Sequence, residues 1–116
     1  MAAGKYDIVI EQGADFLLTL TWRDQNYNPI NLTAYTARMK VKETKDSTTT
    51  LISLTSSSGI TLGGALGTIA IAITAANTAT YTFETAVYDL ELIDGSGVVT
   101  RLLEGSCTLS REVTTT

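Results

Sequence analysis

The chain has 116 residues, of which 44% are hydrophobic, enough for one domain with a real core and too apolar for wholesale disorder. Its 8 basic and 12 acidic residues leave a net charge of −4, which argues against nucleic acid or an anionic membrane surface as partner. No His and a single Cys, Cys107, exclude an internal disulfide, most zinc sites and any His-based acid–base mechanism. Thr is abundant, and Thr favours strands over helices.

The N-terminal MAAGKYD has no apolar signal-peptide core, so synthesis and assembly in the cytoplasm are expected. Tyr6–Glu11 is predicted as a short strand with Tyr6, Ile8 and Ile10 on one face, turned by Gln12-Gly13-Ala14-Asp15. Phe16–Arg23 alternates more cleanly than any other stretch. Phe16, Leu18, Leu20 and Trp22 share the core side, with Trp22 as an anchor. Asp24–Thr33 collects turn formers around Pro29 and reads as a loop whose Ile30 and Leu32 tuck under the sheet. Asn31-Leu32-Thr33 matches a glycosylation acceptor, but no secretory signal accompanies it.

Tyr35–Lys42 alternates again, with Ala37, Met39 and Val41 inward and Arg38, Lys40 and Lys42 outward. With Lys45 just beyond, this is the one basic stripe. It is expected to be a solvated outer face or a guarded edge strand, with docking of an acidic partner as the functional alternative. Glu43–Thr50 is a polar loop and Leu51–Thr55 a weak strand.

Ser47–Phe83 carries no charge, yet its apolar residues alternate and Gly63, Gly64 and Gly67 interrupt it. Strand, turn and strand therefore suit it better than a membrane span. Gly63–Gly67 lacks the spacing of a phosphate cradle and is expected to be a turn. Thr68–Ile73 is a strand, and Thr74 caps a short helix near residues 75–81. Val87–Ile93 and Val98–Leu103 flank Asp94-Gly95-Ser96-Gly97 as a hairpin, with Tyr88, Leu90 and Leu92 on the buried face. Ser106–Val113 closes the chain as a separate strand, with Cys107, Leu109 and Val113 in phase, before a Thr114–Thr116 tail.

About seven to eight strands at this spacing, with one short helix, predict an all-β fold. It is an antiparallel two-sheet sandwich of immunoglobulin-like type, a single domain over residues 1–116 with short mobile termini. The Cys–Trp–Cys hallmark of antibody domains is missing. No catalytic, cofactor or metal residue is expected. The paired carboxylates Asp89 and Glu91 read as solvent-facing, because no aromatic sugar platform accompanies them. Asp94–Gly97 has too few oxygen ligands in line for calcium, and Cys107 has no His to activate it.

Particular segments resemble a family of small structural proteins of tailed bacteriophages. They are Gln12-Gly13 before the strand ending at Trp22, and Pro29–Thr33 before Tyr35–Met39. Thr74–Thr78, Tyr88–Leu92, Gly105 and Glu112-Val113-Thr114 continue the likeness over nearly the whole chain. Such proteins are similar to the Ig-like N-terminal domains of baseplate and tail-fibre attachment proteins. The resemblance implies a non-enzymatic virion component of the tail, baseplate or tail fibre. Its expected partners are other phage structural proteins, and it is expected to be a homo-oligomer or symmetric array, without nucleic acid or membrane. A capsid decoration (cement) protein contacting the major capsid protein is the alternative. A carbohydrate-binding module for the host surface is another, and its aromatics would be Tyr27, Tyr35 and Tyr81. For any partner, the edge strands Tyr6–Glu11 and Ser106–Val113 are expected to be available for sheet addition.

Overall fold

Two β-sheets pack face to face in the computed structural model, which describes residues 3–114. The described strands are β1 (Gly4–Lys5), β2 (Ile8–Glu11), β3 (Phe16–Thr21), β4 (Thr36–Lys42), β5 (Ile52–Thr55), β6 (Ile60–Leu62), β7 (Thr68–Ile73), β8 (Thr85–Ile93) and β9 (Val99–Ser110). The larger sheet runs β1-β9-β8-β4-β5, with β2 also on β9; the smaller runs β3-β7-β6. This is the strand order of an immunoglobulin-like sandwich with its first strand carried to the edge of the larger sheet. Ladders are antiparallel except at that edge, where β1 and β2 run parallel to β9. Both keep one register, Gly4 facing Leu103 and Ile8 facing Cys107, so they act as one interrupted strand.

Period-two alternation decides which faces meet. Ala37, Met39 and Val41 of β4, Tyr88, Leu90 and Leu92 of β8, and Ile69, Ile71 and Ile73 of β7 are all buried between the sheets. Leu32 is buried beneath them, and Ile30 packs alongside. Trp22 lies just past β3, half-buried, edge-on to Tyr35 with ring centroids 5.8 Å apart. The uncharged Ser47–Phe83 region folds into β5, β6, a 3-10 turn at Gly64–Leu66, β7 and α1 (Ala75–Thr78). Among the described residues no helix is long and apolar enough to cross a membrane.

Several expectations change. The predicted strands Val98–Leu103 and Ser106–Val113 are one strand, β9, because a bulge opposite Leu90/Glu91 resets the alternation without breaking the ladder. β9 is paired on both sides, so Ser106–Val113 is not an edge available to a partner; β1/β2 remains one. Val113 falls beyond β9 and is exposed, while Cys107 and Leu109 are buried. The basic strand β4 lies between β8 and β5, so its charges line a solvated face and guard no edge. Tyr6 sits in the break between β1 and β2 and is largely exposed. The predicted tail residues Thr115 and Thr116 lie outside the described residues.

The helix spans four residues. Thr74 caps it, its hydroxyl accepting from the Asn77 N–H at 3.4 Å. Thr78, fully buried, ties it to the β2–β3 turn: its Oγ1 donates to the Ala14 carbonyl (2.8 Å) and accepts from the Gly13 N–H (3.1 Å). Thr78→Val keeps the shape but orphans both partners. It is expected to lower unfolding free energy by about 1–3 kcal/mol in urea titrations.

Candidate docking face

The outer face of the larger sheet gathers charge that is sparse elsewhere. β4 presents Arg38, Lys40 and Lys42; in register beside them β8 presents Glu91, Asp89 and Val87. Glu104 of β9 lies opposite Asp89, and β1 brings Lys5 opposite Glu104. These residues form cross-strand rows. One row reads Lys40, Asp89, Glu104, Lys5; the next reads Arg38, Glu91, Arg101.

Like charges directly opposite each other cost stability, and Asp89 and Glu104 are such a pair. The surrounding cations offset it. Lys5 donates to Glu104, Lys45 Nζ lies 3.7 Å from Glu104 Oε1, and Arg101 reaches Asp89 (3.5 Å) and Glu104 (3.6 Å). The hydrogen bond from Lys5 holds the Glu104 carboxyl below its ordinary range, with Lys45 and Arg101 adding to it. Partial burial pushes Asp89 upward, and Glu91 and Glu104 reinforce that against Arg101. In the neighbouring row Arg38 Nε donates to Glu91 Oε1 at 2.7 Å.

Beside the first row, on the side of Lys42 and Val87, lies an open concavity of about 340 Å³, lined by Lys5, Lys40, Lys42, Lys45, Arg101, Asp89 and Glu104 and reaching Tyr88 and Gly105. Five cations face two carboxylates there. Lys40 and Lys42 form no ion pair among the described residues. The hollow is therefore positive on a chain whose net charge is negative.

Gly105 makes the hollow possible. A Cβ there would meet the Tyr6 backbone carbon at 2.8 Å, so only glycine lets the interrupted first strand close on β9. Two side chains then span the break. Asp7 Oδ1 accepts from the Ser106 N–H (2.9 Å), a bond that lowers the Asp7 carboxyl. The Tyr88 hydroxyl donates to the Tyr6 carbonyl (2.5 Å), and burial first, then nearby Tyr6 and Asp7, push it up to about 12. A raised phenol stabilises the fold fully below its unfolded value near 10 and loses that contribution as pH rises through about 12. Stability is expected to fall across that window in urea titrations, and Tyr88→Phe to flatten that part of the profile.

No family model and no curated protein matches the chain. Among solved structures it is similar to the extracellular domain of the voltage-gated sodium channel beta4 subunit, at 12% identity and a TM-score of 0.43, with 97% of each chain covered. A structure from work on cell-adhesive interactions of sodium-channel beta subunits overlaps at 15% identity and a TM-score of 0.46, with 98% of each chain covered. Domains 3–5 of Drosophila OTK overlap at 15% identity and a TM-score of 0.39, over 94% of this chain and 33% of that one.

The other singled-out residues have structural uses. Asp94 Oδ1 accepts from the N–H groups of Ser96 (2.8 Å) and Val98 (2.9 Å), and Gly97 takes the positive φ the turn needs. Burial pushes the Cys107 thiol up to about 11. Among the described residues no three His, Cys, Asp or Glu side chains gather as a metal set. The three tyrosines do not share a platform. Tyr35 packs on Trp22 past the end of β3, whereas Tyr81 stacks near Phe83, and its carbonyl accepts from Gln12 before β3 begins. Tyr27 is exposed in the β3–β4 loop beneath Arg23. Asp89 and Glu91, noted in the sequence as a pair, are drawn into ion pairs. Lys5, Arg101 and Glu104 were not singled out there, because a parallel long-range pairing and a bulge bring them to the face.

Proposed function

We propose that the chain is a non-enzymatic assembly module that docks an acidic protein surface through the hollow of Lys5, Lys40, Lys42, Lys45 and Arg101. The observation that carries this reading is the local excess of cations on a net-negative chain, with Lys40 and Lys42 unpaired in a preformed concavity. The resemblance described above supports the setting: a tailed-phage virion, in the tail, baseplate or fibre, with other structural proteins as partners. Rigid sheet-borne charges of this kind raise association rates and fix orientation more than they add affinity.

An acidic peptide is the simplest probe. Titrating ¹⁵N-labelled protein with oligoglutamate is expected to shift amides of β4, β9 and Lys5, with binding that weakens as salt rises. The double substitution Lys40→Gln/Lys42→Gln, the first position exposed and the second half-buried, removes the two unpaired cations without adding a carboxylate to the row, and is expected to abolish it while leaving folding intact. Oligolysine is expected to shift none of these amides. Absent binding, or shifts scattered over the surface, would count against the docking role.

A further inference from the structure

Among the described residues four strands have an open edge, and three of them are short or interrupted: β6 has three residues, β5 four, and the β1/β2 strand breaks at Tyr6-Asp7. Short or broken edges resist unwanted pairing. β3 is different. It has six residues, FLLTLT, with no charge, proline or bulge, and among the described residues it pairs only with β7. Leu17 on its outer face is 75% exposed.

The open main-chain groups can be assigned. The Trp22 N–H donates to Gly67, its carbonyl accepts from Ile30, and Asp24 N–H donates to Asn28, all on the β7 side. By alternation Leu17, Thr19, Thr21 and Arg23 turn their N–H and C=O groups to the open side. The same four, with Asp15, put their side chains on the outer face.

We propose that this edge pairs with the β3 edge of a second copy, antiparallel about a twofold axis at Thr19. Charge selects that register. Thr19 faces Thr19 of the second copy, Leu17 faces Thr21, and Asp15 faces Arg23, twice by symmetry. A shift of two residues either way keeps main-chain pairing but parts both ion pairs. Asp15 uses Oδ1 to hold the Ala75 N–H (2.7 Å), leaving Oδ2 for the incoming guanidinium. The dimer carries one continuous six-stranded sheet, three strands from each copy. The basic hollow lies on the other sheet and stays open, so the two surfaces serve a symmetric assembly together.

Sedimentation equilibrium tests this. The wild-type chain is expected to dimerise with concentration. Thr19→Lys, which sets two lysines opposite each other on the axis, is expected to weaken it about tenfold or more. Arg23→Glu alone and Asp15→Lys alone are each expected to be monomeric, and their equimolar mixture to dimerise, since every facing pair in it is complementary. Thr19→Cys provides a check that does not depend on charge: it is expected to crosslink to itself under mild oxidation, with buried Cys107 unreactive. A wild type that stays monomeric at millimolar concentration, pairs a different protein's strand instead, or dimerises indifferently to Thr19→Lys would overturn the proposal.

Discussion

Gly105→Ala is expected to lower unfolding free energy by about 3 kcal/mol, a large effect for one methyl group on a strand. The new Cβ would press on the Tyr6 main chain, and β1 has nowhere to retreat without leaving β9. Three hydrogen bonds cross this point: Tyr6 N–H to the Glu104 carbonyl (3.0 Å), Tyr88 hydroxyl to the Tyr6 carbonyl, and Ser106 N–H to Asp7. The displacement also carries Lys5 away from Glu104, so the Glu104 carboxyl is expected to rise towards its ordinary range. Urea unfolding and a carboxylate titration followed by NMR read the two effects on one sample. Unchanged stability with an unchanged Glu104 titration would mean that the first strand does not close on Gly105.

Leu90→Ala is expected to cost about 3–4 kcal/mol, near the middle of the range for a fully buried leucine. Leu90 has no exposed surface, and it lies between Met39 on β4 and Leu103 on β9 at the centre of the larger sheet. Neighbours held by ladders on both sides cannot collapse into the space left behind. Leu66→Ala is the matched control: the same chemistry on an exposed position in the Gly64–Leu66 turn is expected to change stability by less than about 0.5 kcal/mol. Comparable losses at the two sites would contradict the assignment of Leu90 to the core.

The alternation that buries Leu90 could be read directly from the sequence, as could that of Ala37, Met39 and Val41, because strand side chains repeat every two residues. The turn at Asp94–Gly97 and the Thr74 cap were also visible, being settled within a few residues. What escaped depends on distant partners. Nothing local to Gly4 and Lys5 announces a parallel ladder with β9. The bulge between Leu103 and Arg101 flips the pattern of β9, and Gly105 adds a position with no side chain, so one strand reads as two. The docking face suffered for the same reason. Its β4 stripe was plain, while Lys5, Arg101 and Glu104 join it only through those two features.

The proposed docking role is decided by a cryo-electron microscopy map of the virion in which this chain is proposed to assemble. If the proposed role holds, density for this chain is expected at the tail, baseplate or fibre, with the hollow of Lys40, Lys42 and Arg101 seated against acidic side chains of a neighbouring protein. A particle that lacks the chain, or holds it with that hollow facing solvent, would contradict it. Density on the capsid lattice would reject the tail setting while leaving the docking face to be judged by what covers it there.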